Sequence, residues 1–171
     1  MSENLEIRRA SRGDLAAITS LVRQAIQAST QIDESEIPSA DHWLFSKGLW
    51  VAVQGHPGHE LIGVAAWQAE NLVSVTDVFY VFPESLWATA GGRLLETIEA
   101  EAKILMCEIN AVLLPDWAPE AAHAFFQQAG YEYQDHKELH RIWQEVLSEF
   151  IIEGSMLMVK RLQDRMRMVP P

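Results

Sequence analysis

Three apolar stretches in the middle of the chain, separated by very little sequence, restrict the fold most. They are LWVAVQG (49–55), LIGVAAWQAE (61–70) and NLVSVTDVFYVF (71–82), and they are rich in strand-forming residues. The pair Pro57-Gly58 marks a turn between the first two stretches, and the third follows the second with almost no loop. Because parallel strands need a long crossover connection, these stretches predict an antiparallel meander.

Helical periodicity and further apolar stretches surround the meander. A strand is expected from Leu5 to about Arg9, then a helix that Ser11 caps, with Asp14 at the capping-box position, and a short helix that Ser39 caps. After the meander, apolar spacing predicts helices over 91–106, 119–130 and 138–150, alternating with strands at 108–115, 131–134 and 155–162. In the first of these helices Leu105 is expected on the buried face. The order indicates an α/β (α+β) fold, a mixed sheet with helices packed on it.

Size and charge restrict the class of protein. The chain has 171 residues, which predicts one domain over 1–171, with its core at about 5–162 and a short tail at 163–171. A formal net charge of −11 disfavours nucleic acid and anionic membranes as partners. The single cysteine, Cys107, cannot form an internal disulfide, which fits a cytoplasmic location. We expect its side chain to be buried as a small apolar group.

Two local patterns carry a family resemblance. At 81–95, Val81 and Pro83 form a strand end of the type V-x-P, a turn follows with Gly91 at its last position, and Leu94 and Leu95 open a helix. The second pattern, N-x-x-A-x-x-[FL]-Y-x-x-x-G-[FY], is matched at Ala122, Phe125, Gly130 and Tyr131. With the order of elements, these patterns resemble the GNAT family of acetyl-CoA-dependent N-acetyltransferases. The resemblance implies a mostly antiparallel central sheet flanked by helices, and it covers nearly the whole chain.

The chain departs from the family patterns at several positions. In the turn, the cation position is Leu86 and the first glycine position is Thr89. In the second pattern, Pro119 replaces the asparagine and Phe126 replaces the tyrosine. The family joins its last two strands more briefly, so the helix around Ile142 is expected to be an insertion.

The resemblance implies acetyl-CoA as co-substrate, with its pyrophosphate on the amides of the turn. A helix start offers such donors together with the positive end of the helix dipole. Thr89 is expected to resist a positive φ, and the missing cation to weaken binding about tenfold to a hundredfold, with Arg93 compensating in part. Alternatively, the glycines only let a helix start close to a strand, with Trp87 as a packing residue. The expected coenzyme contacts are Phe79, Tyr80, Val81, Leu86, Trp87, Ala88, Thr89, Ala90, Gly91, Gly92, Arg93 and Phe126.

Asp77 lies four residues before Val81, where many family members place a carboxylate general base. The resemblance therefore implies direct acetyl transfer to a primary amine in a ternary complex, with Asp77 taking the proton directly or through water. An aspartate in solvent or in an ion pair is the competing interpretation. Phe126 has no hydroxyl to serve as general acid. The candidates to replace it as general acid are Tyr80, Tyr131, Tyr133 and His123, although none of them stands at the motif position.

Three further features have two interpretations each. His136 and His140 stand at metal-binding spacing, but without a third ligand nearby we expect no metal site. The acidic stretch with Asp33, Glu34 and Glu36 either attracts an ammonium substrate or is a solvated charge run. The apolar face of the helix at 138–150 is expected to cover the acceptor site as a lid or to meet a second subunit in a homodimer.

Two hypotheses of function follow. The first is a GNAT-type N-acetyltransferase acting on a small-molecule or protein amine. The second is a catalytically weakened protein of the same fold, serving as an acyl-CoA-binding or protein-interaction module. Binding of acetyl-CoA and acetyl transfer discriminate between them.

Overall fold

A computed structural model of the chain describes residues 4–46, 48–55 and 59–164. The chain divides into two compact units, each built from two stretches of sequence. The first unit contains Met1–Ala66 and Val78–Thr97, and the second contains Trp67–Asp77 and Ile98–Pro171.

Seven strands form one mixed sheet in the order β1-β2-β3-β4-β5-β7-β6. Their bounds are β1 Leu5–Arg9, β2 Gly48–Gln54, β3 Glu60–Glu70, β4 Val73–Val81, β5 Ile109–Leu114, β6 Glu132–Tyr133 and β7 Met156–Arg161. Strands β4 and β5 are parallel, whereas β1 with β2, β5 with β7, and β6 with β7 are antiparallel. The expected mixed, mostly antiparallel α/β fold is confirmed.

The expected meander corresponds to β2, β3 and β4, which are neighbours in the sheet. Strands β3 and β4 are joined by Asn71 and Leu72, with φ angles of 48° and 65°. Positive φ at both central residues is typical of a tight hairpin turn, so β3 and β4 follow each other almost without a loop. The turn expected at Pro57-Gly58 lies outside the described residues.

Five α-helices accompany the sheet in the described part of the chain: α1 Leu15–Ser29, α2 Trp43–Ser46, α3 Gly92–Ile104, α4 Glu120–Gln128 and α5 Arg141–Leu147. The expected capping residues lie one turn before α1, at a 3₁₀ turn over Arg12–Asp14. The Asp14 carboxylate accepts the Ser11 amide at 2.7 Å and two bonds from Arg8 at 2.8 and 2.9 Å. These bonds, led by that from Arg8, hold the pKa of Asp14 well below its ordinary value.

The helix predicted over 91–106 ends earlier, at Ile104. Met106 adopts a φ of 63°, its amide bonds to Lys103 O at 3.0 Å, and Cys107 N bonds to Ala102 O at 2.9 Å. These bonds form a Schellman motif with methionine at the left-handed position. The prediction that Leu105 is buried is wrong, because it follows the helix end and is 54% exposed.

The helix predicted over 138–150 is shorter, since α5 covers only Arg141–Leu147 after a 3₁₀ turn at His136–Glu138. Its apolar side packs against strands of its own unit. The cluster contains Val73, Val75, Ile109, Ala111, Leu113, Trp143, Val146, Leu147, Leu157 and Val159. This face is therefore part of the core, so neither a lid nor a homodimer is needed to cover it.

Candidate active site

The chain is helical directly after β4, where a turn was expected. A 3₁₀ turn covers Glu84–Leu86, a π-helical turn covers Trp87–Gly91, and α3 begins at Gly92. The wider winding is visible at Gly92, whose N–H bonds to the carbonyls of Thr89 and Trp87. Single π-helical turns occur frequently at functional sites.

The π-helical turn has an open side and a packed side. Ala88 and Thr89 are exposed, and a Cβ built on Gly92 would meet nothing within 4 Å. On the other side Trp87 is buried and stacks on Phe79, with ring centroids 5.5 Å apart. The packing interpretation of Trp87 is confirmed, and the open side is formed by Ala88, Thr89 and Gly92.

The strain expected at Thr89 is absent. Thr89 lies within the π-helical turn, outside the left-handed region, and its hydroxyl donates to Leu86 O at 3.3 Å. Gly92 likewise has a helical φ of −57°. The positive φ that Thr89 was expected to resist is not required here, because a helical turn needs no glycine at that position.

Several hydrogen-bond donors of the helical segment after β4 already bond to main-chain carbonyls. The amides of Leu86, Trp87 and Gly92 bond to nearby main-chain carbonyls, so three of the donors expected for the pyrophosphate already have partners. Arg93 donates to the backbone carbonyl of Leu5 on β1. This bond directs the guanidinium to β1, which contradicts the expected compensation for the missing cation.

The candidate base follows the last residue of β4 that is paired with β5. The parallel register runs from Val73 with Ile109 to Thr76 with Val112, and β4 continues through Asp77 to Val81. Asp77 is half-buried, with its Oδ1 atom inaccessible to solvent. The carboxylate is thus held at the point where the β4–β5 pairing ends, in a partly dry environment.

A buried polar network within the second unit, which was not predicted from the sequence, holds β4 directly before Asp77. Asn110 Oδ1 accepts the hydroxyls of Ser74 at 2.8 Å and Thr76 at 3.0 Å, and its Nδ2 donates to Tyr131 Oη at 2.8 Å. Tyr131 donates to Glu99 Oε1 at 2.8 Å. The one signal in the sequence is Asn110 itself, a polar residue inside an otherwise apolar strand. The network fixes β4 up to the residue before Asp77.

The residues considered as general acid have other roles in the structure. Phe126 is fully buried and meets the rings of Phe125 and Tyr131 edge to face at 5.0 and 5.6 Å, so it packs in the core in contrast to its expected contact with coenzyme. Burial, followed by the charge of Glu99, raises the pKa of Tyr131 far above its ordinary value. His123 Nδ1 and Tyr133 Oη form an exposed pair at 2.6 Å.

The histidine pair, Cys107 and Asp33 were also considered as functional residues, and each has local contacts in the structure. Within residues 4–46, 48–55 and 59–164, no group of three His, Cys, Asp or Glu side chains is placed to hold a metal ion. His140 Nδ1 instead accepts the Ile142 amide, and His136 Nε2 lies 2.9 Å from Gln144 O. Cys107 is buried, as expected. The Asp33 carboxylate accepts the amide and the hydroxyl of Ser35, bonds that lower its pKa.

Among the described residues, no helix combines the length and the apolar character needed to cross a membrane.

The sequence matches no protein-family profile and no curated protein. Solved structures, in contrast, resemble the whole chain. An acetyltransferase of the GNAT family from Staphylococcus aureus is 16% identical, with a TM-score of 0.75 over 94% of this chain and 100% of that chain. The chain has the GNAT fold.

Two further structures with this fold contain a coenzyme. The PaiA N-acetyltransferase of Thermoplasma acidophilum, in complex with coenzyme A, is 16% identical with a TM-score of 0.67, over 92% of this chain and 99% of that chain. The putative acetyltransferase YncA of Salmonella typhimurium, with acetyl-CoA, is 16% identical with a TM-score of 0.64, over 96% and 97% of the two chains. At this identity the likeness establishes the fold, and the chemistry has to be argued from the residues of this chain.

Proposed function

We propose that this chain is an acetyl-CoA-dependent N-acetyltransferase that transfers the acetyl group directly to a primary amine in a ternary complex. The observation that carries the proposal is the helical segment after β4, where Ala88 and Thr89 are exposed and the space beside Gly92 is open. The GNAT fold, and the coenzymes held by similar structures, support acetyl-CoA as the ligand of this segment. The single domain and the cytoplasmic location expected from the sequence remain part of this proposal.

The pyrophosphate of the coenzyme binds on the open side of the π-helical turn. The start of a helical segment presents amide donors and the positive end of the helix dipole to an anion. No side chain adds a charge there, because Leu86 occupies the position of the family's cation and Arg93 is bonded to Leu5 O. Glu84, an exposed residue in the turn that precedes Trp87, carries a negative charge that repels the pyrophosphate. Binding therefore depends on the main chain and is expected to be weaker than with a cation at position 86.

Asp77 acts as the general base, directly or through one water molecule. It takes a proton from the acceptor ammonium, and the free amine attacks the thioester carbonyl. Main-chain N–H groups at Phe79 to Val81 hold the carbonyl oxygen as it becomes negative. The attacking nitrogen gives up its second proton to solvent, the carbon–sulfur bond breaks, and coenzyme A leaves as its thiolate, which is protonated by solvent. Asp77 then returns its proton to solvent. A thiol pKa of about 8.5 makes this departure feasible without a protein acid.

A second function, a coenzyme-binding or interaction module without catalysis, is favoured by one specific observation. Phe126, at the position of the family's tyrosine acid, is fully buried, and the neighbouring Tyr131 hydroxyl already bonds to Asn110 and Glu99. General-acid help typically contributes about 10²–10⁴-fold to a rate, so its loss leaves a slow enzyme or none.

An acetyl-transfer assay separates the two functions. The full chain is mixed with acetyl-CoA and a panel of primary amines, and the release of free thiol is followed beside the mass of the acetylated product. The proposal expects amine-dependent thiol release with one product per thiol. Coenzyme binding without product formation from any amine supports the binding module, and the absence of both outcomes rejects both functions.

A further inference from the structure

A cavity of about 560 Å³ lies in the second unit, between strands β6 and β7 and the segment that leads into α5. Its volume falls within the range of about 300–1,000 Å³ that is usual for small-molecule sites. It shares no residue with the candidate active site. The lining side chains that matter here are Glu132, Glu138, His140, Trp143, Val159 and Arg161.

The register of the two strands explains how opposite charges come to face this cavity. Glu132 is paired with Val159 in the antiparallel β6–β7 ladder. Because side chains alternate along a strand, Glu132, Val159 and Arg161 point to one face, while Lys160 points to the other. Val159 packs in the same cluster as Trp143, so the shared face is the one that α5 covers. A carboxylate and a guanidinium thus stand as diagonal neighbours, about 7–8 Å apart at their backbones.

Within the part of the chain that the structure describes, the charges facing this cavity have no partners. Lys160 also lines the cavity, but its ammonium group is bound to Glu99 at 3.0 and 3.2 Å. Among residues 4–46, 48–55 and 59–164, in contrast, the side chains of Glu132, Glu138 and Arg161 form no hydrogen bond or ion pair.

Two ring systems complete the wall. Since His140 Nδ1 accepts the amide of Ile142, the neutral imidazole carries its proton on Nε2 and keeps one donor available. The indole N–H of Trp143 donates to the buried Glu108 at 3.3 Å. This bond fixes the orientation of the ring, so Trp143 and Val159 form a rigid apolar surface between the charged groups.

We propose that this cavity binds a small zwitterion, a molecule that carries a primary ammonium and a carboxylate joined by a short apolar stem. The carboxylate pairs with Arg161 and with the Nε2–H of His140. The ammonium pairs with Glu132 and Glu138, and the stem packs on Trp143 and Val159. A ligand with one charge meets an opposite charge in the cavity but also a like charge, so both charges are needed for full affinity.

The test uses the full chain and three matched probes: 6-aminohexanoate, hexanoate and hexylamine. The readout is the indole N–H resonance of Trp143 in a nitrogen-proton NMR spectrum, assigned by its loss in Trp143→Phe. We expect a saturable shift with 6-aminohexanoate, and affinities about tenfold lower for hexanoate and hexylamine. Absence of a saturable shift up to about 10 mM, or equal affinities for the three probes, overturns the proposal.

Two arginine variants locate the binding. Arg161→Gln is expected to weaken the binding of 6-aminohexanoate about tenfold, because it removes the partner of the carboxylate. Arg141→Gln removes the same charge from α5 at an exposed site where Arg141 pairs with Glu145, outside the lining of the cavity. We expect it to leave the affinity unchanged, and an equal effect of the two variants contradicts the site. No coenzyme is present, so the result is independent of the proposed acetyl transfer.

Discussion

The hydroxyl of Tyr131 donates a hydrogen bond to Glu99 Oε1 and accepts one from Asn110, both at 2.8 Å. Asn110 in turn accepts the hydroxyls of Ser74 and Thr76 on β4. A continuous polar network therefore connects α3, β5 and β4 inside the second unit. It ends one residue before Asp77, so its integrity bears on both stability and the position of the candidate base.

Removing the hydroxyl in Tyr131→Phe is expected to lower the free energy of unfolding by about 1–3 kcal/mol, because Asn110 and Glu99 each lose a buried partner. Acetyl transfer is expected to keep its rate within a few-fold, because the raised pKa and the double bonding make Tyr131 unsuitable as an acid. Urea denaturation and the transfer assay measure the two effects. Tyr133→Phe, at an exposed tyrosine, is the matched control. A large loss of rate with unchanged stability would identify Tyr131 as the acid after all.

The ion pair of Arg8 and Asp14 gives the first unit a stability that depends on pH. The pKa of Asp14 is lowered in the folded state, so the stabilisation is present above the unfolded carboxyl pKa of about 4 and is lost as pH falls below it. The side chain of Arg8 is 38% exposed, so solvent screening keeps the energetic contribution of the pair small. Asp14→Asn is expected to cost about 1 kcal/mol at pH 7 and clearly less near pH 2, because the stabilisation declines between the unfolded and the lowered folded pKa of Asp14. Thermal unfolding at both pH values measures this, and an equal cost at both contradicts it.

A cation placed in the turn after β4 tests how the coenzyme is held. Leu86→Arg is expected to tighten acetyl-CoA binding about tenfold to a hundredfold, by adding a charge-assisted hydrogen bond to the pyrophosphate. Arg93→Gln is expected to leave affinity nearly unchanged, because Arg93 is bonded to Leu5 O. Calorimetry of both variants is the measurement. If Arg93→Gln weakens binding and Leu86→Arg does not strengthen it, the cation is supplied by Arg93 instead.

The end of α3 offers a stability test of a different kind. Met106 occupies the left-handed position of the Schellman motif with a φ of 63°. Met106→Gly is expected to raise the free energy of unfolding by up to about 1 kcal/mol, because glycine adopts this conformation without strain. Leu105→Gly, one residue earlier and exposed, is expected to give no gain. Urea denaturation compares the two, and equal effects would contradict the account of this helix end.

The order of elements could be predicted from the sequence because it depends on periodic patterns. The predicted strand from Leu5 to about Arg9 and the helix after it agree with the structure, in which α1 buries Ile18, Leu21, Val22 and Ile26. The end of α3 could not be predicted, since a methionine at a left-handed C-terminal position has no signal in composition or spacing. The length of α5 was overestimated because Leu139 and Phe150 are apolar and pack on the same cluster from outside the helix.

The candidate site was predictable in position but not in detail. The pattern at 81–95 predicted a site directly after β4, where the structure has an open helical segment, and Asp77 lies where the β4–β5 pairing ends. The direction of Arg93 and the burial of Phe126 depend on contacts distant in sequence, with Leu5 in the first case and Tyr131 in the second. Such contacts are set by the packed fold, so a local motif does not contain them.

Asp77→Asn tests the general base. The substitution removes the proton acceptor but keeps nearly the same shape, so we expect acetyl transfer to fall about 10²–10⁴-fold while acetyl-CoA affinity stays the same. The matched control is Asp164→Asn, at an exposed aspartate of the same unit. Rates and affinities are measured for both variants and the original chain. Unchanged turnover in Asp77→Asn eliminates Asp77 as the base.

The central claim is that the main chain at Ala88 and Thr89, beside the open space at Gly92, holds the pyrophosphate of acetyl-CoA without help from a cationic side chain. Calorimetric titration of the full chain with acetyl-CoA, repeated at low and high salt and with desulfo-CoA, tests it most directly. We expect a dissociation constant in the micromolar range that weakens with salt and is similar for both ligands. Absence of binding at about 1 mM ligand would contradict the claim and leave the GNAT fold without its coenzyme.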